Sequence, residues 1–225
     1  MRTDPNRGDD MRKVKGLEDS ARRAAADLAS DAWGKDSLSG EERNRLFVSD
    51  GGKQFWDLSA VSGADHIGDG RSVVLLDYDR DGWVDLASIN TNSPKLVLFR
   101  NEMGQREGMG GRRMVALRFV GGNVSDHPAP GWSNRDGYGA RVTVAAGGRR
   151  FVEELRCGEG YSAQNGRTLL IGLGEVEAID EIAVRWPSGK VQRVGGLDPD
   201  QLVTLYEDAA AAPGGEGFVV EAYRR

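Results

Sequence analysis

Cysteine and histidine are both rare in this sequence of 225 residues, which has one cysteine, Cys157, and two histidines, His66 and His127. A single thiol cannot close a disulfide within the chain, and it cannot build the cysteine clusters that hold structural zinc. Neither histidine lies in a nucleophile motif, and the sequence has no Gly-x-Ser-x-Gly elbow and no phosphate-binding loop. The sequence therefore favours a non-enzymatic protein, although it leaves an enzymatic role open.

Long apolar runs are missing as well. No stretch approaches the roughly 20 apolar residues of a membrane-spanning helix. The start of the chain, MRTDPNRGDDMRKVKGLEDSARR, has no apolar core of a signal peptide. We therefore expect no membrane span and, for the chain as written, a cytoplasmic location.

The sequence has fewer basic than acidic residues, 30 against 35. Its net charge is −5 and its isoelectric point is about 5.2. An acidic chain of this kind is a poor candidate for binding nucleic acid, whose phosphates would repel it. The same balance suits a protein that binds cations. It does not specify a protein or small-molecule partner.

Turns and short strands dominate what is present. Thirty-two glycines against seven prolines indicate many tight turns. Two short apolar strands flank Asp50-Gly51-Gly52, which predicts a hairpin from Asn44 to Leu58. Between residues 110 and 208, seven short segments with much period-two alternation predict an antiparallel β-sandwich. In one of them, Ile182, Val184 and Trp186 should share a face.

The two ends of the chain differ from this pattern. From Met11 to about Trp33, apolar residues recur at helical spacing and predict one N-terminal helix within a polar segment, residues 1–40. The tail, residues 209–225, contains a possible short strand. The fold class is therefore mainly β, with one N-terminal helix.

The sequence SVVLLDYDRDGWVDLASIN, which begins at Ser72, places four carboxylates between two strand-like segments. In a tightly curled loop, Asp77, Asp79 and Asp81 can converge, and Asp85 can close the group from the far side. Gly82 permits the turn, and the carbonyl of Trp83 can add an oxygen. Hard oxygen ligands in this number suit Ca2+ better than Zn2+.

Two other interpretations of these aspartates must be weighed. An EF-hand needs a glutamate at the twelfth loop position and helices on both sides. Counting from Asp77, that position is Ser88, and the flanks are rich in Val, Leu and Ile, so a strand-loop-strand site is favoured. The alternative is a solvated acidic turn, since Asp and Gly also form ordinary turns.

A second group of polar residues lies in the sandwich region. If the sequences SNRDGYG and GEGYSAQN are loops at one end of the sandwich, they could form a ligand pocket in which Arg135 binds a carboxylate or phosphate. The alternative is that these residues only fix the loops by hydrogen bonds. The candidate ligand residues are Ser133, Asn134, Arg135, Asp136, Tyr161, Gln164 and Asn165.

Two family resemblances follow from these sequences. RLFVSDGGKQFWDLSAVSG, LLDYDRDGWVDLASIN and LVLFRNE resemble the FG-GAP/VCBS repeats of β-propellers, whose blades carry a calcium loop. SNRDGYGARVTV, RCGEGYSAQN, LLIGLGE and VRWPSGKVQ resemble the ASPIC/UnbV domain of proteins similar to cartilage acidic protein. The resemblance implies a partial propeller-like unit at 41–105 and an ASPIC/UnbV-like sandwich at 110–208.

The family is implied to be calcium-binding and secreted or extracytoplasmic, so a secreted or periplasmic location is expected if the N-terminus is incomplete. Three hypotheses result. The first is a non-enzymatic β-rich interaction module in which Ca2+ orders the acidic loop. The second is an accessory protein or enzyme of a small-molecule pathway, for example of the enediyne type, that uses the SNRD and GYSAQN loops. The third is a structural fragment that depends on further domains.

Overall fold

The protein is mainly β, as predicted from its sequence. The computed structural model describes residues 42–223, which contain thirteen strands, one helical turn and two short 3-10 helices. The predicted N-terminal helix lies outside the described residues. Within them, no helix is long and apolar enough to cross a membrane.

The chain divides into two compact units by its internal contacts. Among the described residues, the first contains 42–71 together with 89–96, and the second contains 72–88 and 97–223. The domain boundaries at 40/41 and near 105–110 stay predictions.

The first unit contains the predicted hairpin. Strands β1 (Phe47–Ser49) and β2 (Phe55–Asp57) pair antiparallel, and Val48 lies opposite Trp56. The turn closes where the amide of Asp50 donates to the carbonyl of Gln54 at 2.9 Å. A single helical turn, α1 (Ser59–Ser62), follows. Glycine is required in this hairpin because Gly51 and Gly52 have φ values of +56° and +78°.

Three strands form a separate small sheet in the order β3-β4-β5: β3 (Gly70–Leu76), β4 (Asp85–Asn90) and β5 (Leu96–Phe99). The four aspartates follow the end of β3 and reach the first residue of β4. The acidic segment, residues 77–85 and called the acidic loop below, is therefore flanked by strands. This arrangement confirms the strand-loop-strand prediction and excludes the flanking helices of an EF-hand.

The remaining strands build the sandwich, with sheet orders β11-β10-β7-β8 and β13-β12-β6-β9. Their bounds are β6 (Arg113–Val120), β7 (Arg141–Ala146), β8 (Arg149–Glu154), β9 (Leu169–Gly174), β10 (Ile179–Arg185), β11 (Val191–Leu197), β12 (Gln201–Tyr206) and β13 (Phe218–Ala222). The last strand lies in the tail for which the sequence suggests a short strand.

The core between the two sheets follows from period-two alternation. Ile182, Val184 and Trp186 are buried together, as predicted, because alternate residues of a strand point to the same side. Phe119 meets Trp186 edge to face, with ring centroids 5.9 Å apart. Burying one such large side chain stabilises the fold by about 1.5–3 kcal/mol.

The sandwich is antiparallel in five of its six strand pairs, and β12 runs parallel to β6. Parallel neighbours need a long crossover connection. The chain between β6 and β12 provides one, because it passes through the opposite sheet first. Local alternation does not reveal the direction of a strand, so this pair was not foreseen.

Strand β6 is buried on both faces. Its residues Met114 and Ala116 point away from the central core and pack with Leu202, Tyr223 and Leu170 in a second apolar cluster. The acidic loop approaches this cluster, since Trp83 and Met114 line the same cavity. The outer face of the β13-β12-β6-β9 sheet therefore supports the loop.

Candidate metal centre

The backbone of the acidic loop curls around its own aspartates. The carboxylate of Asp77 accepts hydrogen bonds from the amides of Gly82 at 2.8 Å and Asp81 at 3.2 Å. The carboxylate of Asp81 accepts one from the amide of Trp83 at 2.9 Å. Gly82 has φ +89°, a left-handed conformation that glycine adopts without strain.

Three of the predicted metal ligands converge. Side-chain oxygens of Asp77, Asp79 and Asp85 all lie within 4.8 Å of one another. Asp85 is fully buried, and it accepts hydrogen bonds from the amides of Tyr78 at 3.1 Å and Asn101 at 2.7 Å. These bonds fix the carboxylate at the start of β4, facing the other two.

The remaining two predicted ligands lie beside this group. Asp81 contributes no oxygen to it, because its carboxylate caps the amide of Trp83 and lies 3.6 Å from a guanidinium nitrogen of Arg100. A role for the carbonyl of Trp83 stays a prediction.

The electrostatics of the loop favour a cation. Burial raises the pKa of Asp81, and the charges of Asp79, Asp77 and Asp85 raise it further, against the hydrogen bond from Trp83. Like charges held this close destabilise one another unless a cation lies among them. Carboxylate oxygens are the hard ligands that Ca2+ prefers, so the donor set fits that ion.

Arg100, just after β5, places a positive charge beside the carboxylates of the acidic loop. Its guanidinium lies 2.8 Å from a carboxylate oxygen of Asp79 and 3.6 Å from one of Asp81. The charge of Asp79 raises the pKa of Arg100 above its usual value. Sequence analysis did not find this residue, because the contact depends on where β5 ends beside the loop.

Replacing Arg100 by Gln should therefore raise the affinity for Ca2+ severalfold. The guanidinium pairs with carboxylates that an ion in the loop would need, so removing the guanidinium would favour the ion. Isothermal titration with Ca2+ measures the change. Arg106→Gln removes an exposed arginine of the following segment and should leave the affinity as it was. An unchanged or weaker affinity in Arg100→Gln would show that Arg100 does not compete.

The loop is also tied to the sandwich through Tyr223. This tyrosine is 3 % exposed, and its pKa is raised by burial, by the charge of Asp77 and by a hydrogen bond with that carboxylate. The guanidinium of Arg80 lies over the ring, 5.1 Å from its centroid. Tyr223 was missed by sequence analysis because it is far from the loop along the chain.

The predicted ligand residues of the SNRD loop are engaged by their own surroundings. Ser133 is 2 % exposed, and its hydroxyl donates to Glu207 at 3.0 Å. The side chain of Asn134 bonds both to the amide and to the carbonyl of Tyr138. These two residues fix the loop, which was one of the alternatives left open by the sequence.

Arg135 and Asp136 form an ion pair of 3.2 Å, and Arg167 contacts the same carboxylate. The hydrogen bond from Arg135 lowers the pKa of Asp136, against a smaller effect of burial, and the charge of Arg167 lowers it further. Asn134, Arg135 and Asp136 line one cavity of about 650 Å³, which also contains the exposed Cys157.

The GYSAQN loop contributes to a different cavity. Gln164 and Asn165 line a space of about 300 Å³. The side chain of Gln164 bonds to the amide of Gly158 at 2.6 Å, and that of Asn165 to the amide of Leu75 at 2.9 Å. Tyr161 is 74 % exposed. The seven predicted ligand residues therefore do not line one common cavity.

Comparison with known proteins finds a likeness for part of the sandwich. No curated protein matches the chain. Residues 131–212 match the family model described as ASPIC and UnbV. The match begins just before the SNRD loop and includes β7 to β12, so this part of the sandwich is similar to ASPIC and UnbV domains.

Proposed function

We propose that this protein is a non-enzymatic, calcium-binding interaction module in which Ca2+ orders the acidic loop. The observation that carries the proposal is the convergence of Asp77, Asp79 and Asp85, whose oxygens lie within 4.8 Å of one another. Asp81 stands next to them with a raised pKa. A bound divalent cation supplies the positive charge that four neighbouring carboxylates need.

The chain's own residues hold the loop ready. Asp85 is fixed by two backbone amides, and Asp77 is fixed by Gly82, Asp81 and Tyr223. Asp79 and Asp81 are paired with an exposed side chain, that of Arg100. Binding therefore needs a movement of Arg100 rather than a refolding of the loop.

Binding of the ion is thermodynamically linked to folding, so it stabilises the ordered loop. An ion that binds only the folded state adds about 2.7 kcal/mol to the free energy of unfolding at a hundredfold excess over Kd. Because Asp77 contacts Tyr223, that stabilisation includes the outer face of the β13-β12-β6-β9 sheet. The ordered surface is the part that a partner would recognise.

The proposal extends to the first family resemblance. Strands on both sides of a DxDxDGxxD loop support likeness to an FG-GAP/VCBS repeat. With that likeness we propose an extracytoplasmic setting, as in proteins similar to cartilage acidic protein. Modules of that kind work with Kd values of roughly 0.1–1 mM, which the calcium of such a setting can fill.

A thermal melt in EDTA and in millimolar CaCl2 tests the proposal. At a tenfold excess over Kd the ion adds about 1.4 kcal/mol, so we expect the midpoint to rise by roughly 3–6 °C in a chain of this size. Asp79→Ala should abolish the rise, because Asp79 belongs to the cluster. Its carboxylate otherwise pairs with the exposed Arg100 and accepts a hydrogen bond of 3.3 Å from the amide of Asp81.

Asp126→Ala is the matched control, since Asp126 is 88 % exposed and far from the loop in sequence. It should keep the full response. Equal midpoints with and without Ca2+ in the wild type would reject calcium binding, and a response that survives Asp79→Ala would place the ion elsewhere.

A further inference from the structure

Another cavity, of about 540 Å³, is lined by residues of the sandwich and by none of the aspartates of the acidic loop. Its apolar wall includes Phe119, Tyr138 and Leu155. The first and last of these belong to the buried core, and Tyr138 packs against it. This volume is within the usual range for small-molecule sites, about 300–1,000 Å³.

The lining of the cavity also includes side chains with hydrogen-bond donors. Arg118 of β6 lies in register with Thr204 of β12, and both line the cavity. Thr168, just before β9, accepts a hydrogen bond from Nε of Arg118 at 3.0 Å. A hydroxyl that accepts one bond still has its proton to donate. Arg118, Thr168 and Thr204 therefore offer donors to the same space.

Two arginines, Arg118 and Arg167, and one carboxylate line the cavity. Its carboxylate, Asp136, is already bonded by two guanidinium groups, those of Arg135 and Arg167. Between residues 42 and 223, no carboxylate lies within ion-pair distance of Arg118. The terminal nitrogens of its guanidinium form a fork that matches a carboxylate or phosphate group.

We propose that this cavity, the Arg118 cavity, binds a small organic anion. Its carboxylate or phosphate group would be held by Arg118 with the hydroxyls of Thr168 and Thr204. Its apolar body would lie against Phe119, Leu155 and Tyr138. None of these residues belongs to the metal cluster, so the proposal does not depend on calcium.

Arg118 lies on the outer face of β6, in line with Met114 and Ala116, which are buried in an apolar cluster. The side chain of Arg118 is itself exposed, so a ligand can reach it from solvent. Its charge also acts on Tyr223 of that cluster, which contacts Asp77 of the acidic loop.

Titration of the full chain with phenyl phosphate tests the proposal, because this probe joins a phosphate to an aromatic body. We expect amide NMR shifts at Thr168 and Thr204 and a Kd of roughly 1 mM, typical of a small fragment. Inorganic phosphate and phenol should each bind more weakly than the joined probe. The result should be the same in EDTA and in CaCl2.

Arg118→Gln should weaken binding of phenyl phosphate about tenfold, the effect of losing one charge-assisted contact. Arg150→Gln, an exposed arginine on β8 of the other sheet, should not change it. Thr204→Val removes one hydroxyl with little change of shape and should also weaken binding. It provides the test if Arg118→Gln does not fold.

Two outcomes would overturn the proposal. The first is an absence of shifts at Thr168 and Thr204 at about ten times the expected Kd. The second is equal affinity of the wild type, Arg118→Gln and Thr204→Val for the probe. Inorganic phosphate binding as tightly as phenyl phosphate would reject the role of the apolar wall and, with it, an organic ligand.

Discussion

Replacing Glu207 by Gln should lower the midpoint of thermal unfolding by roughly 10 °C, because Glu207 joins three loops of the sandwich. Its carboxylate accepts hydrogen bonds from the amides of Gly122 at 2.8 Å and Ser133 at 2.7 Å. It also accepts hydrogen bonds from the hydroxyls of Ser133 and Ser188. A glutamine would direct its NH2 group at some of these donors. We expect a loss of about 3 kcal/mol, with 2–4 °C per kcal/mol in a chain of this size.

The pH dependence of stability gives a second test of the same carboxylate. Burial raises the pKa of Glu207, but the hydrogen bonds from Ser188, Gly122 and Ser133 outweigh it, and the pKa lies below 4.5. A group whose pKa is lowered by folding stabilises the protein above its unfolded value. That contribution is lost as the pH falls from about 4.5 through the lower folded value.

In Glu207→Gln this part of the acid destabilisation should therefore disappear. Denaturant melts of both proteins between pH 3 and pH 7 measure the difference, which should be largest at neutral pH. Glu177→Gln, an exposed glutamate between β9 and β10, is the matched control and should behave as the wild type. A Glu207→Gln protein as stable as this control at pH 7 would contradict the role assigned to the carboxylate.

Features that repeat along the chain could be predicted from the sequence. The alternation Ile182, Val184, Trp186 fixed one face of β10, because a strand repeats every two residues. The hairpin at Asp50-Gly51-Gly52 could be predicted for a similar reason, since its turn is made by adjacent residues. The convergence of Asp77 and Asp79 is local in the same sense.

Features that join distant segments could not be predicted. Arg100, Tyr223 and Glu207 contact residues that the sequence had singled out, but nothing in local spacing brings them there. The role of Ser133 depends on one such distant contact, that with Glu207. As a residue of a polar loop it could have bound a ligand or fixed the loop, and only the position of Glu207 beside it favours the second.

The Arg118 cavity illustrates the same limit. Arg118 alternates with Met114 and Ala116 and carries no motif, so the sequence gives no reason to choose it among many arginines. Its pairing with Thr204 depends on the parallel register of β6 and β12. That register is set by the crossover of the chain, and local patterns do not encode it.

Replacing Asp85 by Ala should have an effect that depends on calcium. Asp85 is fully buried, and its carboxylate accepts hydrogen bonds from the backbone amides of Tyr78 and Asn101. Without it, two backbone donors lose their partner, at about 1–3 kcal/mol each. In EDTA the removal of one of several like charges offsets part of this loss. In CaCl2 there is no offset, and the stabilisation by the ion, about 2.7 kcal/mol at a hundredfold excess, is lost as well.

Denaturant melts in EDTA and in CaCl2 should therefore show a loss of roughly 5 kcal/mol or more with calcium and a clearly smaller one without it. Asp85→Asn keeps one acceptor and should lie between Asp85→Ala and the wild type in EDTA, while losing most of the calcium response. Asp126→Ala should be neutral in both conditions, because its side chain is exposed. If Asp85→Ala lost the same free energy in both conditions, Asp85 would have a structural role only and the metal site would lack its buried ligand. If it lost none in EDTA, the relief of charge repulsion would offset the lost hydrogen bonds from Tyr78 and Asn101 in full, against the partial offset expected here.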